Sequence, residues 1–147
     1  MNNVSIKILK IHEDVTIPER QTNGSAGYDL YSYCPNGLEI PPITPIFIPT
    51  GIKIEIPSSY DIEIRPRSGL STKNLLFIPN SPGTIDSDYR GEIMVCMVNF
   101  GKTVFMIEHK MRIAQIILRQ NISINWEIVN SLLNTERGSG GFGSTGV

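Results

Sequence analysis

Asp86 is one carboxylate in this sequence whose type could orient and deprotonate a water. It stands in Ile85-Asp86-Ser87-Asp88. A free aspartate has a pKa of about 3.9, so it is ionised at pH 7 and can accept a proton from water. The same four residues are ordinary turn chemistry, and that plainer role suits Asp88 better. Arg67 lies in Arg65-Pro66-Arg67-Ser68-Gly69-Leu70-Ser71 and offers a planar fork that matches phosphate oxygens. A surface salt bridge is the plainer role for such an arginine, and it is the one expected of Arg65. Ser68 and the N–H of Gly69 fall where a short helix over Leu70 to Leu75 would begin, and helix starts favour anions. Asn80-Ser81-Pro82-Gly83 reads by itself as a turn.

Two further patterns fail as motifs. Gly141-Phe142-Gly143-Ser144-Thr145-Gly146 has the spacing G-x-G-x-x-G. A dinucleotide site needs a helix directly after it, and only Val147 follows. What survives is bare backbone N–H groups that can approach phosphate closely. Gly101-Lys102-Thr103 has the form of a P-loop end, but the glycine required five residues earlier is Cys96, so a hairpin turn is expected instead. No G-x-S-x-G elbow and no credible Ser-His-Asp set is present.

The elements that would position these residues are short strands. Ile52, Ile54 and Ile56 alternate with Lys53 and Glu55, one dry face and one wet. Ile62 and Ile64 repeat the pattern within Asp61 to Arg65. Val4 to Ile11 is a mixed strand, and Met106 to Ile117 contains another, centred on Ile113 to Ile117. Ile93 to Val98 is apolar throughout and is expected to be buried on both faces. Proline and glycine punctuate these runs at Pro35-Asn36-Gly37, Pro41-Pro42, Pro49, Pro57 and Gly101. Many short strands with turns at this spacing indicate an all-β sandwich or barrel.

The 147 residues have the size of one domain, with 13 basic and 14 acidic residues. That near-balance excludes the electrostatic footprint of a nucleic-acid or membrane-surface binder. Any phosphate chemistry must come from a local cluster. Cys34 and Cys96 form no C-x-x-C, and His12 and His109 lack metal-ligand spacing. No apolar leader or membrane-length run is visible, so a soluble, cytoplasmic protein with reduced thiols is expected. Gly138 to Val147 holds five glycines and cannot offset its ordering entropy by burying apolar surface. Arg137 and Phe142 make a ligand-ordered arm the alternative to a frayed tail.

Five segments, in order, carry a resemblance. They are Ala26-Gly27-Tyr28-Asp29-Leu30-Tyr31, then Arg65 to Ser71, then Asn80 to Glu92, then Arg112-Ile113-Ala114-Gln115, and last Arg137 to Gly146. Together they resemble the signature motifs of the homotrimeric dUTPase family, across nearly the whole chain. The resemblance implies a jelly-roll-like distorted β-barrel with one short helix. Residues 1–133 would form the core, and residues 134–147 a glycine-rich arm closing over a neighbouring active site. It implies hydrolysis of dUTP to dUMP and pyrophosphate with Mg²⁺ on the triphosphate.

The resemblance also assigns roles. Asp86 would aim water at the α-phosphate. Tyr89 would sit beneath the deoxyribose and exclude a 2′-hydroxyl, where an apolar pocket alone discriminates by only about 10²-fold. Backbone groups of Gly83, Thr84 and Ile85, with the Asn80 amide, would read uracil. Arg67, Ser68, Gly69 and Gln115 would cradle phosphate. Asp29 would hold either the magnesium-water shell or an arginine. Phe142 would stack on uracil, while Arg137, Gly143, Ser144 and Thr145 would serve the phosphate end. Motifs one, two and four would come from one chain, the third from a second and the arm from a third.

One departure is visible. The fourth motif usually opens with Gly and an acidic residue, and Lys110 and Met111 stand there instead. Two other readings stay open. A dCTP deaminase on the same fold would need a general acid/base glutamate, for which Glu92 and Glu108 are the nearest candidates. A dUTP-dependent regulatory binder would use the same pocket without turnover.

Overall fold

A computed structural model describes residues 3–141. Proline and glycine turns cut these residues into eleven short strands and one helix. The strands are β1 (Lys7–Lys10), β2 (Tyr28–Tyr31), β3 (Leu38–Ile40), β4 (Ile46–Pro49), β5 (Ile52–Glu55), β6 (Tyr60–Arg65), β7 (Leu76–Phe77), β8 (Gly83–Ile85), β9 (Met94–Asn99), β10 (Phe105–Ile107) and β11 (Arg112–Gln120). The helix α1 (Ser68–Asn74) lies between β6 and β7.

Hydrogen bonding groups the strands into four antiparallel sheets, ordered β1-β5, β10-β3, β2-β11-β6-β8 and β4-β9-β7. Every sheet sends side chains into one apolar core: Ile52 and Ile54, Ile40 and Ile107, Leu30, Ile62 and Ile113, and Ile48, Val95 and Met97. β-branched isoleucine dominates because its stiff side chain packs well on a pleated surface. The all-β class, the jelly-roll-like wrapping about one core and the single helix agree with the sequence. The ladders do not close into a hydrogen-bonded ring among the described residues.

Three local expectations need adjusting. The helix starts at Ser68 and ends at Asn74, where Leu75 turns left-handed at φ 55°. Turn 101–103 joins β9 to β10, but those strands lie in different sheets, so it is not a hairpin. Asn99 shapes it, accepting from Gly101 N at 2.8 Å and donating to the Thr103 carbonyl at 2.7 Å. Strand β9 is not buried on both faces: Met94 is exposed and Cys96 half-buried, beside an exposed Phe47 on β4. Among the described residues that apolar outer face has no cover.

The strand-bearing body ends at Gln120. Beyond it the described residues form no strand or helix. There Ile122, Ile124, Trp126 and Ile128 alternate with polar residues, and all four are strongly exposed, Ile128 at 98%. A period of two with an apolar face is the pattern of a half-buried strand, yet no other described residue buries it.

Candidate active site

The four-stranded sheet brings three of the five motifs together at one end. Asp29 on β2 faces Gln115 on β11, and Gln115 faces Arg65 at the end of β6. Asp29 is buried, at 8% exposure, and its backbone is tied to Glu19 in both directions, at 2.7 and 3.3 Å. Each carboxylate oxygen meets a guanidinium: Arg67 Nε at 2.9 Å from Oδ1 and Arg112 Nη1 at 3.3 Å from Oδ2. Arg67 also donates through Nη1 to the Arg112 carbonyl at 3.2 Å. Gln115 Nε2 donates to the Pro66 carbonyl at 2.9 Å, fixing the segment that carries Arg67. Two arginines against one aspartate leave the cluster net positive, as a phosphate cradle requires.

Arg112 was not among the site residues expected from the sequence. Residues 112 and 115 are an odd number apart, so a regular strand would point them to opposite faces. The register slips between Arg112 and Ala114, where Arg112 pairs with Tyr31 and Ala114 with Leu30. The extra residue is Ile113, fully buried. This bulge turns Arg112 onto the face of Asp29 and Gln115. The only sequence signal was the arginine within the fourth motif itself.

Ser68 and Gly69 open α1, which follows Arg67 in extended conformation at φ −91°, ψ 130°. Its first turn has no acidic residue and no side-chain cap, and the space around Gly69 is open. Buried Leu70 anchors the helix to the core. Arg65, by contrast, leans on Glu63 at 2.8 Å, the plain ion-pair role expected of it.

The third motif forms β8 and the turn after it. Gly83, Thr84 and Ile85 pair with Ile64, Glu63 and Ile62 of β6. Asn80 packs against Gly83, its Nδ2 3.0 Å from where a Cβ would stand. Asn80, Gly83, Thr84 and Ile85 line a cleft of about 70 Å³, closed on its other side by residues such as Phe47 and Met94. That is far below the roughly 300–1,000 Å³ of ordinary ligand pockets. Asp86 follows β8 and is exposed; its carbonyl accepts from Tyr89 N at 3.1 Å. Tyr89 is 44% exposed, and its hydroxyl donates to the Glu92 carbonyl at 3.0 Å. The ring lies directly over Gly91, where an added Cβ would fall 2.3 Å from the Tyr89 oxygen.

Within one chain the cradle and Asp86 stand at opposite ends of β6. The ladder runs Ile64 to Gly83 and Ile62 to Ile85, so one more step would set Asp86 opposite Asp61. From Asp61 to Arg65 the strand advances about 13 Å at roughly 3.3 Å per residue, and Arg67 lies beyond that.

Other predicted residues are apart from both groups. Arg137 donates to the Gly140 carbonyl at 2.9 Å within its own exposed segment. Phe142, Gly143, Ser144 and Thr145 lie outside the described residues. Of the two glutamates weighed for deamination, Glu92 accepts from Gly51 N at 2.8 Å, a structural task, and Glu108 is exposed. A larger groove of about 570 Å³ is lined by none of the described predicted site residues. Its walls are mostly apolar, including Ile6, Ile8, Ile17, Ile62 and Leu118.

Known proteins bear on this arrangement. A family model described as dUTPase matches residues 13–146. A Rickettsia conorii protein named deoxyuridine 5'-triphosphate nucleotidohydrolase is 49% identical over 148 residues, covering 100% of both chains. A protein of the same name from Leptospira interrogans is 47% identical over 144 residues, 97% of this chain and 99% of its own. In three dimensions the chain is similar to a variant dUTPase of Staphylococcus bacteriophage 80alpha solved with dUpNHpp. There the TM-score is 0.88 at 24% identity, over 99% of this chain and 100% of that one.

Proposed function

This chain belongs to the dUTPase family and hydrolyses dUTP to dUMP and pyrophosphate, and we propose that it does so in sites assembled between copies of itself. The supporting observation is the separation along β6: the arginine cradle is at one end and Asp86 at the other. A water attacking phosphorus must lie against both the base and the phosphate-binding groups. One chain cannot meet that requirement, and a second copy that brings its own Asp86 to the cradle can.

In this reading Arg67 and Arg112, held by Asp29, bind the phosphates with Ser68, Gly69 and Gln115. Asp86 of a neighbouring copy takes the proton from the attacking water. Asn80 and the backbone of Gly83, Thr84 and Ile85 read uracil, and Tyr89 floors the sugar. The arm, residues 134–147, brings Arg137, Phe142, Gly143, Ser144 and Thr145 over a site on another copy and excludes water.

The assembly is a homotrimer. Its support is apolar surface with no cover in one chain: the Phe47 and Met94 face, the groove along β1, and the strand-like run Ile122 to Ile128. Patches of this extent mark interfaces. Both the run and the groove are largely apolar, and among the described residues β1 pairs with β5 alone.

Mg²⁺ fits as a cation carried by the triphosphate. Both Asp29 oxygens already face guanidinium groups, which leaves that carboxylate no more than a water-mediated role. When bound, Mg²⁺ neutralises phosphate charge and keeps most of its own waters. We assign the chain to the cytoplasm, where its two free thiols suit a reducing setting. Burial pushes both thiols above the ordinary cysteine range, which keeps them unreactive.

Complementation tests the shared site. R67A and D86N homotrimers are each expected to be nearly inactive in a pyrophosphate-release assay. Refolded together at equal amounts, they should regain about one quarter of wild-type sites by random assortment. No recovery in verified mixed trimers would refute a site divided between copies.

A further inference from the structure

The fourth motif departs from its family's usual form at the residue where the backbone is hardest for a side chain to adopt. Lys110 has φ 59°, the left-handed region that glycine enters freely and lysine does not. The next residues are Met111 and then Arg112, which must reach Asp29. A lysine in that conformation needs its surroundings to hold it.

Two sets of contacts do so. Ser32, buried at 2%, holds the backbone. It accepts from Lys110 N at 3.0 Å and donates from its own N–H to the Met111 carbonyl at 2.9 Å. Its hydroxyl donates to the Glu108 carbonyl at 2.6 Å and accepts from Met111 N at 3.0 Å. Asp14 holds the side chains from a different segment. Its Oδ2 faces His109 Nε2 at 3.2 Å and Lys110 Nζ at 3.7 Å, and its Oδ1 accepts from the Tyr33 hydroxyl at 3.1 Å. His109 Nδ1 accepts from Cys34 N at 3.2 Å, so Nε2 carries the hydrogen that points to Asp14. Tyr33 wedges into the same cluster, stacked on His12 at 4.3 Å and edge-on to His109 at 5.1 Å.

We infer that Asp14 is a positioning residue for dUTP binding: it latches turn 108–111 and so sets the bulge that aims Arg112 at Asp29 and the triphosphate. An isolated surface ion pair would contribute little. Here two hydrogen-bond donors and a lysine ammonium, from two segments, converge on one carboxylate, and they add to the Ser32 hydrogen bonds in restraining a backbone conformation unfavourable for lysine. The carboxylate stands in for the glycine: the family's usual residue needs no latch, whereas Lys110 does. The inference rests on the reading of Arg112 as part of the phosphate cradle.

The test measures KM and kcat for dUTP in Asp14→Asn, Asp14→Asn/Lys110→Gly, Lys110→Gly and Arg112→Ala. Asn keeps the shape of Asp14 and loses its charge and one acceptor. D14N should raise KM about three- to tenfold, the scale of a small misplacement of a binding group, with kcat changed less than about twofold. In D14N/K110G, KM should return to within about twofold of wild type, because glycine holds the turn without a latch. K110G alone should behave as wild type. A D14N enzyme with unchanged KM, beside an R112A enzyme with raised KM, overturns the latch and spares the cradle. A KM that stays raised in D14N/K110G overturns it as well, since the defect then does not pass through the turn. If R112A itself leaves KM unchanged, the cradle reading fails first and the latch with it.

Discussion

Gly27→Ala puts a single methyl group against the site and should show how tightly it is built. A Cβ on Gly27 would stand 2.4 Å from Gln115 Oε1 and 3.2 Å from its Cδ. The methyl cannot yield, because β2 pairs with β11 just beyond it; Gln115 must. Moving it breaks the 2.9 Å hydrogen bond to the Pro66 carbonyl, worth about 0.5–1.5 kcal/mol. A poorer rotamer costs roughly as much again. The lost backbone freedom of glycine in the unfolded chain returns about 0.4–1 kcal/mol. The net expectation is a destabilisation of about 0.5–2 kcal/mol, where 1 kcal/mol moves Tm by roughly 2–4 °C. Because Pro66 precedes Arg67, KM for dUTP should rise too. The decisive comparison is a double-mutant cycle with Gln115→Ala, read by thermal unfolding and by KM. In the Q115A background the two closest contacts are gone and the Cβ of residue 115, 3.4 Å away, remains in ordinary contact, so G27A should be neutral or slightly stabilising, with a coupling of about 1–3 kcal/mol. Equal effects of G27A in both backgrounds would refute the argument that Gln115 is what the methyl displaces.

Asp86→Asn should lower kcat by about 10²–10⁴-fold, the range for a positioned general base. Binding of a non-hydrolysable imido analogue of dUTP, measured by calorimetry, should change by less than about threefold; parallel loss of binding would count against a proton-transfer role. Trp126→Asp puts charge on the exposed apolar run proposed as a contact between copies. A loss of about 2 kcal/mol per subunit should make the trimer dissociate, by light scattering, at a concentration about a hundredfold higher, because the midpoint scales as the square root of the trimer dissociation constant, and an unchanged assembly would remove this run from the interface. Asp14 titrates below its ordinary 3.8, held down chiefly by the His109 hydrogen bond and further by those from Tyr33 and its own backbone, against a burial effect that raises it. A depressed carboxylate stabilises the fold fully above its unfolded pKa and loses that contribution as pH falls through the folded one. The stability gap between wild type and D14N should therefore hold at pH 5–7 and shrink below about pH 4; a gap that grows in acid would mean the sign is wrong.

Much of the fold could be read directly from residue order. Alternating isoleucines marked β5 and β6, and proline and glycine marked the turns between strands. These signals are local, set by a side-chain period of two and by backbone dihedrals that only certain residues accept. The five motifs likewise identified the family and the reaction, because the chemistry needs those residue types at fixed places. The exposed outer face of β9 and the run Ile122 to Ile128 were harder. An apolar strand reads the same whether its cover is its own chain or another copy.

Sequence alone therefore marked five of the strands (β1, β5, β6, β9 and β11), identified the family and named candidates for the reacting groups. Tertiary structure decided which of those groups meet. One unpaired residue at Ile113 reverses the face of Arg112, an effect that depends on pairing with β2 and leaves no local mark. The register of β6 against β8 and β11 sets the cradle and Asp86 apart. Contacts distant in the chain, such as Asp14 with His109, decide whether a lysine can occupy a glycine's conformation. Composition and spacing report what each residue prefers, while register and long-range pairing report which preferences the assembled sheet overrides.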